Sequence, residues 1–257
     1  MSALFVITRL DPRDDILESE AWALGYEVVR ESLLETEPGV DAIWLSDRIA
    51  AIPDGTGLAW TSRRAANALV LALPREYLKL KRIPLYAVGE ESAAPLRLKD
   101  LSPHTPGEGK GAAELADFIA ERAAADGVRR VIFLHGNRSL PDLPDGLKAR
   151  GIDVEFLEVY KTRFVTADLS GLEVALKEGA PIMAAFFSPS GVEALERFLT
   201  PDGRVRFRER AAAMAKGPTT ARALEQRGYR TVLVPERTVP FDRYLKEALH
   251  SPSGERP

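Results

Sequence analysis

Short apolar runs recur along this chain, and most are followed by a segment of helical periodicity. That alternation is the pattern of parallel sheets with helices packed on their faces. The expected strands are Leu4–Thr8, Glu27–Glu35, Gly57–Thr61, Leu85–Val88, Arg130–Leu134, Val154–Thr162, Ile182–Phe187, Ala211–Ala215 and Thr231–Val234. The expected helices are Asp14–Leu24, Arg64–Leu73, Glu90–Leu98, Ala112–Ala125, Leu143–Arg150, Leu169–Lys177, Gly191–Leu199, Thr220–Arg227 and Phe241–Leu249.

A glycine closes three of these helices just before a strand, at Gly25, Gly151 and Gly228. Glycine accepts the left-handed conformation that ends a helix, so the device supports the α/β class and says nothing of function. Two strands, Glu27–Glu35 and Val154–Thr162, exceed the usual length of about five or six residues. A strand longer than its sheet must leave it, which suggests a paired crossover between two lobes. The first lobe would combine the N-terminus with the C-terminal third, and the second would be the middle.

At 257 residues, with 45% hydrophobic and 28% charged side chains, the chain reads as an ordinary globular protein of one large or two modest domains. Its net charge of -3 provides no basic field for nucleic acid. The lack of cysteine excludes disulfides, thiol catalysis and cysteine-bound metals. No apolar stretch approaches the roughly 18 residues of a membrane span, and the apolar run at Leu4–Ile7 is short for a signal peptide. A cytoplasmic protein is expected. Residues 251–257 have no apolar anchor and read as a disordered tail.

Three hydroxyl-rich turns join a strand to a helix: Thr61-Ser62, Ser188-Pro189-Ser190-Gly191 and Gly217-Pro218-Thr219-Thr220. In open α/β sheets ligands bind beyond the carboxyl ends of the strands. The first helical N–H groups lack backbone partners there, and the helix dipole favours an anion. Any one such turn is better read as a plain helix cap, since Ser and Thr cap helices and proline suits the first turn; three in one chain are less easily read so. Val88-Gly89-Glu90 is a weaker turn of the same kind. Gly107-Glu108-Gly109-Lys110-Gly111 lacks the phosphate-loop pattern, and no dinucleotide fingerprint follows a strand. His104, His135 and His250 lack metal-ligand spacing. His135 ends a strand at the ligand edge, where a solvent-facing loop histidine is the plainer reading. Tyr160, on the second long strand, either donates a proton or hydrogen bond or simply packs with its hydroxyl in water.

The chain resembles the uroporphyrinogen-III synthase family over nearly its whole length. The resemblance is carried by Val6-Ile7-Thr8-Arg9, Trp60-Thr61-Ser62-Arg63-Arg64-Ala65, Tyr86-Ala87-Val88-Gly89, Gly136-Asn137-Arg138, Gly151-Ile152-Asp153-Val154 through Val159-Tyr160-Lys161-Thr162, Phe186-Phe187-Ser188-Pro189-Ser190-Gly191 and Gly217-Pro218-Thr219-Thr220-Ala221-Arg222-Ala223-Leu224. It implies two parallel-sheet α/β lobes joined by a two-stranded β-ladder, with the active site in the cleft between them. The first domain would be 1–35 with 163–257 and the second 36–162, with linking strands near 30–36 and 156–163.

The resemblance further implies a cyclising lyase of tetrapyrrole biosynthesis that needs no metal or organic cofactor and acts as a monomer. Its substrate is hydroxymethylbilane, a linear tetrapyrrole with eight carboxylates, and its product is uroporphyrinogen III. By position, Thr61, Ser62, Ser188, Ser190, Thr219 and Thr220 would hold carboxylates together with the turn glycines Gly89, Gly191 and Gly217. Arg9 and Arg64 would add cations, and Tyr160 would protonate the departing hydroxyl. His135 and Lys216 depart from the family's usual residues. The competing reading is a non-catalytic two-lobed binding protein for an anionic metabolite.

Overall fold

The computed structural model describes residues 2–8, 15–107, 110–236 and 239–250. In chain order the elements are β1 (Leu4–Ile7), α1 (Asp15–Ala23), β2 (Glu27–Arg30), β3 (Leu34–Pro38), α2 (Leu45–Ala50), β4 (Thr56–Trp60), α3 (Arg63–Leu80), β5 (Leu85–Ala87), α4 (Glu90–Arg97), α5 (Ala112–Asp126), β6 (Arg130–Gly136) and α6 (Asp142–Ala149). There follow β7 (Asp153–Phe164), α7 (Ser170–Glu178), β8 (Ile182–Phe186), α8 (Pro189–Phe198), α9 (Pro201–Arg210), β9 (Ala211–Ala215), α10 (Pro218–Glu225), β10 (Thr231–Leu233) and α11 (Phe241–Leu249). The chain divides into two compact units, Met1–Glu35 with Arg163–Pro257, and Thr36–Thr162.

The first unit holds a sheet of order β10-β9-β8-β1-β2, with every pair parallel. Alternation along β1 sends Leu4 and Val6 into a core shared with α7, α8, α9 and α10. Phe5 and Ile7 enter a second core with α1 and α11. Both sheet faces are therefore covered, which is why the strands read as unbroken apolar runs.

The second sheet has the order β3-β7-β6-β4-β5, with β7, β6, β4 and β5 parallel. Leu58, Trp60, Leu85, Ile132 and Leu134 pack against α2, α3 and α4. Ala59, Tyr86, Val131 and Phe133 pack against α5 and α6 on the other face.

Several expectations are corrected. The single strand expected over 27–35 is two strands, β2 and β3, in different sheets. Between them Leu33 turns into the first unit's core, 1% exposed, which ends the β2 pairing. The helix expected to stop at Leu73 runs on to Leu80 through Pro74, because the apolar side chain of Leu80 still buries after the proline. Helix α9 was not expected: its sequence is charged on all sides, and it buries only Gly203 and Phe207. Arg9, Glu108, Gly109 and the tail 251–257, all named above, lie outside the described residues.

The three glycine closures adopt the left-handed region, with φ of 83° at Gly25, 75° at Gly151 and 80° at Gly228. A Cβ at Gly228 would meet no atom within 4 Å, so any cost of substitution there is backbone strain alone. Gly228→Ala is therefore expected to destabilise the protein by about 1–2 kcal/mol. Gly171→Ala, inside α7 with equally open surroundings, should leave the unfolding temperature unchanged or slightly raised. Equal shifts for the two variants in thermal denaturation would contradict the assignment.

A polar network ties α5 to the edge of the second sheet. The Tyr86 hydroxyl donates to Asp126 at 2.6 Å, and Arg122 donates to both carboxylate oxygens at 3.0 Å. Burial alone would raise the Asp126 carboxyl, but the bonds from Tyr86 and Arg122 outweigh it and hold the group below its ordinary 3.8. A carboxyl depressed in the folded state contributes stability that is complete above the unfolded value and lost as pH falls through the folded one. Asp126→Asn should thus lower the unfolding temperature at neutral pH, and its deficit against the parent should shrink in acid. A deficit that stays constant down to about pH 3 would contradict this.

Candidate active site

Each sheet delivers its strands to one edge, and the hydroxyl-bearing turns sit there. In the second unit, Trp60 at the end of β4 lies level with Ala87 of β5 and Leu134 of β6. Thr61 and Ser62 follow β4, and both are half-buried. Ser62 caps α3, its Oγ accepting from the Arg64 amide at 3.1 Å. Arg64 itself is exposed, and among the described residues its guanidinium makes no ion pair. After β5, Gly89 caps α4 in extended backbone and offers no side-chain cap. The Trp60 indole donates to the Ser92 carbonyl at 2.8 Å and so fastens the turn after β4 to the first turn of α4.

Tyr160 belongs to the same edge. The β6–β7 register slips between His135, opposite Glu158, and Gly136, opposite Tyr160. Val159 is the extra residue. A one-residue shift exchanges the faces of a strand. Leu157, Val159 and then Tyr160 accordingly all pack toward the core that α3 and α4 cover. Tyr160 is half-buried, and its hydroxyl has no hydrogen-bond partner among the described residues.

In the first unit, Phe186 at the end of β8 lies level with Ala215 of β9. Ser188 caps α8, accepting from the Gly191 amide at 3.3 Å, and its Oγ lies 2.9 Å from that of Ser190. The Gly191 amide is already engaged by Ser188, and a Cβ at Gly191 would lie 3.2 Å from Thr8 Oγ1. Thr8, 3% exposed, donates to the Ala185 carbonyl at 2.9 Å. Gly217 caps α10 without a side chain, and Pro218 has no N–H to offer. The Thr219 amide then has no partner among the described residues. Thr219 is exposed and Thr220 is 4% exposed.

The turns thus differ in kind. At Ser62 and Ser188 the side-chain oxygen satisfies the helix, whereas at Gly89 and Gly217 the helix N-terminus has no side-chain cap. An uncapped N-terminus presents its partial positive charge to whatever lies beyond it. At α4 the acidic Glu90 works against an anion, although it is bonded to Arg97 at 3.0 Å and Thr105 at 2.9 Å. At α10 the first turn carries no acid.

The two departures from the family pattern have structural settings. His135 stacks on Phe133 with ring centres 5.6 Å apart and meets the edge of Phe156 at 5.7 Å. Its Nδ1 lies 2.9 Å from the Gly136 carbonyl. The Lys216 amide donates to the Phe186 carbonyl at 2.9 Å, extending the β8–β9 pairing into the turn. His104 lies beside Tyr86 at the sheet edge, and burial followed by the charge of Arg122 pushes its imidazole down from 6.5. His250 pairs with Glu20 at 3.0 Å. Among the described residues no three His, Asp or Glu side chains are grouped as metal ligands, and no helix is long and apolar enough to cross a membrane.

Sequence reasoning did not single out Thr8 or Asn137 as individual residues. Thr8 had a signal, a hydroxyl at the end of an apolar strand. Asn137 had only its place between Gly136 and Arg138. Its amide Nδ2 donates to the Thr162 carbonyl at 3.3 Å, and its Oδ1 accepts from the Thr162 amide at 2.9 Å.

The family described as "Uroporphyrinogen-III synthase HemD" matches residues 17–240. The uroporphyrinogen-III synthase of Escherichia coli (strain K12) is 27% identical over 179 residues, which cover 67% of this chain and 69% of that protein. Among solved structures, a mutant uroporphyrinogen III synthase from the extremely thermophilic bacterium Thermus thermophilus aligns over 97% of both chains with a TM-score of 0.67 at 22% identity. The uroporphyrinogen-III synthetase of Helicobacter pylori 26695 aligns over 98% of this chain and all of its own, with a TM-score of 0.59 at 20% identity. The two structural likenesses bear on the fold. The family match spans most of the sequence, and on that ground the chain belongs to the uroporphyrinogen-III synthase family.

Proposed function

We propose that this chain cyclises hydroxymethylbilane to uroporphyrinogen III, with loss of water and inversion of ring D. The observation that carries the reading is the family match over residues 17–240. The hydroxyl turns, at one edge of each sheet, support it. A linear tetrapyrrole with eight carboxylates suits helix N-termini lined by hydroxyls and amides. Each hydrogen bond to an ionised group contributes roughly 1.5–3 kcal/mol.

The chemical problem is selection. The bilane also closes without help to the type I isomer, and the enzyme must favour attack at the substituted carbon of ring D. Holding the chain in one folded shape supplies that preference, with about 1.4 kcal/mol of differential stabilisation for each tenfold in isomer ratio. Thr61, Ser62, Ser188, Ser190, Thr219, Thr220, Gly89, Gly191 and Gly217 hold carboxylates in this reading, with Arg64 and Arg9 as cations. Tyr160 gives its phenolic proton to the departing hydroxyl, which leaves as water. No step is assigned to a metal or an organic cofactor. The same reading takes the chain to act as a monomer in the cytoplasm.

The purified protein given fresh hydroxymethylbilane should yield mainly isomer III, separated by chromatography of the oxidised porphyrins. Isomer I alone would overturn the reading and favour a binding protein instead. Tyr160→Phe should lower kcat by about a hundredfold with KM little changed; an unchanged kcat removes Tyr160 from the mechanism.

The two kinds of turn give a second test. Ser188→Ala removes a cap and should lower stability by about 1 kcal/mol. Thr219→Ala, at an exposed hydroxyl, should leave stability unaltered and raise KM. The reverse pattern would exchange the roles of the two turns.

A further inference from the structure

Strand β6 ends at Gly136, but its pairing with β7 does not. The next residue, Asn137, lies alongside β7 and uses its side-chain amide as a peptide group. It donates to the carbonyl of Thr162 and accepts from the amide of the same residue. A primary amide has the donor and acceptor of a backbone unit, so the ladder continues by one step through a side chain. That step lies immediately beyond the bulge that puts Tyr160 opposite Gly136.

Two further features concern the ring of Tyr160. Gly136 is buried, and a Cβ there would overlap Cε2 and Cζ of Tyr160. The ring therefore lies directly over the Gly136 backbone, where only glycine leaves room. Gly136 is itself held by the turn that follows: its amide donates to Ser139 Oγ at 3.0 Å, and its carbonyl accepts from the Ser139 amide at 3.0 Å. A bulge leaves its extra residue unpaired and interrupts the ladder locally. On one side of Tyr160 the register is held by the β6 ladder. On the other it is held by Asn137 gripping Thr162, whose side chain is buried at 4% exposure.

We propose that Asn137 is a positioning residue for the reaction: by clasping the backbone of Thr162 it locks the bulged register and holds the Tyr160 ring over Gly136. The inference rests on Tyr160 acting as the proton donor and extends that reading to the residue that aims it. Asn137 acts through Tyr160 and moves no proton itself.

The test is a double-mutant cycle on the full-length protein, with kcat and KM measured on hydroxymethylbilane. Asn137→Ala should lower kcat by about tenfold with KM within about twofold of the parent, since a misplaced donor costs rate rather than binding. In a Tyr160→Phe background, where no phenolic proton is left to aim, the same change should lower kcat by less than about twofold. Equal loss in both backgrounds overturns the proposal, because Asn137 would then act independently of the hydroxyl. If Tyr160→Phe alone matches the parent, the proton-donor reading falls and the positioning role falls with it. Loss from Tyr160→Phe with none from Asn137→Ala keeps the donor and rejects the clasp. Should Asn137→Ala unfold, Asn137→Asp takes its place in the cycle. It keeps an acceptor for the Thr162 amide and loses the donor to the Thr162 carbonyl, and the same non-additive pattern is required of it.

Discussion

In a parallel sheet every strand ends at the same edge, and every following helix begins there. Each helix brings backbone N–H groups that its own ladder does not satisfy. The protein has such an edge in each of its two units. At Ser62 and Ser188 a hydroxyl completes the helix. At Gly89 and Gly217 no side chain does. The residue at the cap therefore decides whether a side chain occupies the first helical amides. A glycine cap costs only roughly 0.3 kcal/mol against a hydroxyl cap and leaves the first helical amides without a side-chain acceptor.

The second unit places Tyr160 by breaking a strand rule. Without the bulge at Val159, alternation would turn Tyr160 away from the face that Leu157 and Val159 share. With it, the ring enters that face, and the hydroxyl is left without a partner among the described residues. Gly136 leaves the ring its room and Asn137 holds the backbone beyond it. Geometry of this kind costs regular pairing, and such irregularities concentrate beside sites of function.

Much of the architecture was legible because it is written locally. The runs at Leu4–Ile7 and Thr56–Trp60, apolar but for Thr56, are buried on both faces, as a parallel sheet requires. The helix-closing glycines at 25, 151 and 228 have the positive φ that their position before a strand implies. The turn residues Thr61, Ser62, Ser188 and Gly217 announced strand-to-helix junctions by type and order. What escaped was non-local, lacked an apolar face or, like the six-residue α2 with Leu45 and Ile49 buried, was short. Helix α9 has charged side chains all round and is held through Phe207 and the Thr200 cap. Pro74 looked like a stop, yet Leu80 buries beyond it. The bulge depends on pairing between residues 136 and 160, and the Asn137 clasp spans 25 positions. Neither leaves a mark within a short window of sequence.

The central claim is that the strand-to-helix turns at these sheet edges, above all those whose helix N-termini carry no side-chain cap, receive the carboxylates of the tetrapyrrole. The most direct measurement is an anaerobic titration of isotope-labelled protein with uroporphyrinogen III, followed through the backbone amide resonances. The account predicts that the amides at 61–64, 89–92, 188–191 and 217–220 shift on titration, with Thr219 among the largest. Shifts confined to the opposite strand ends, or a silent Thr219 amide in a protein that binds the product, would contradict it.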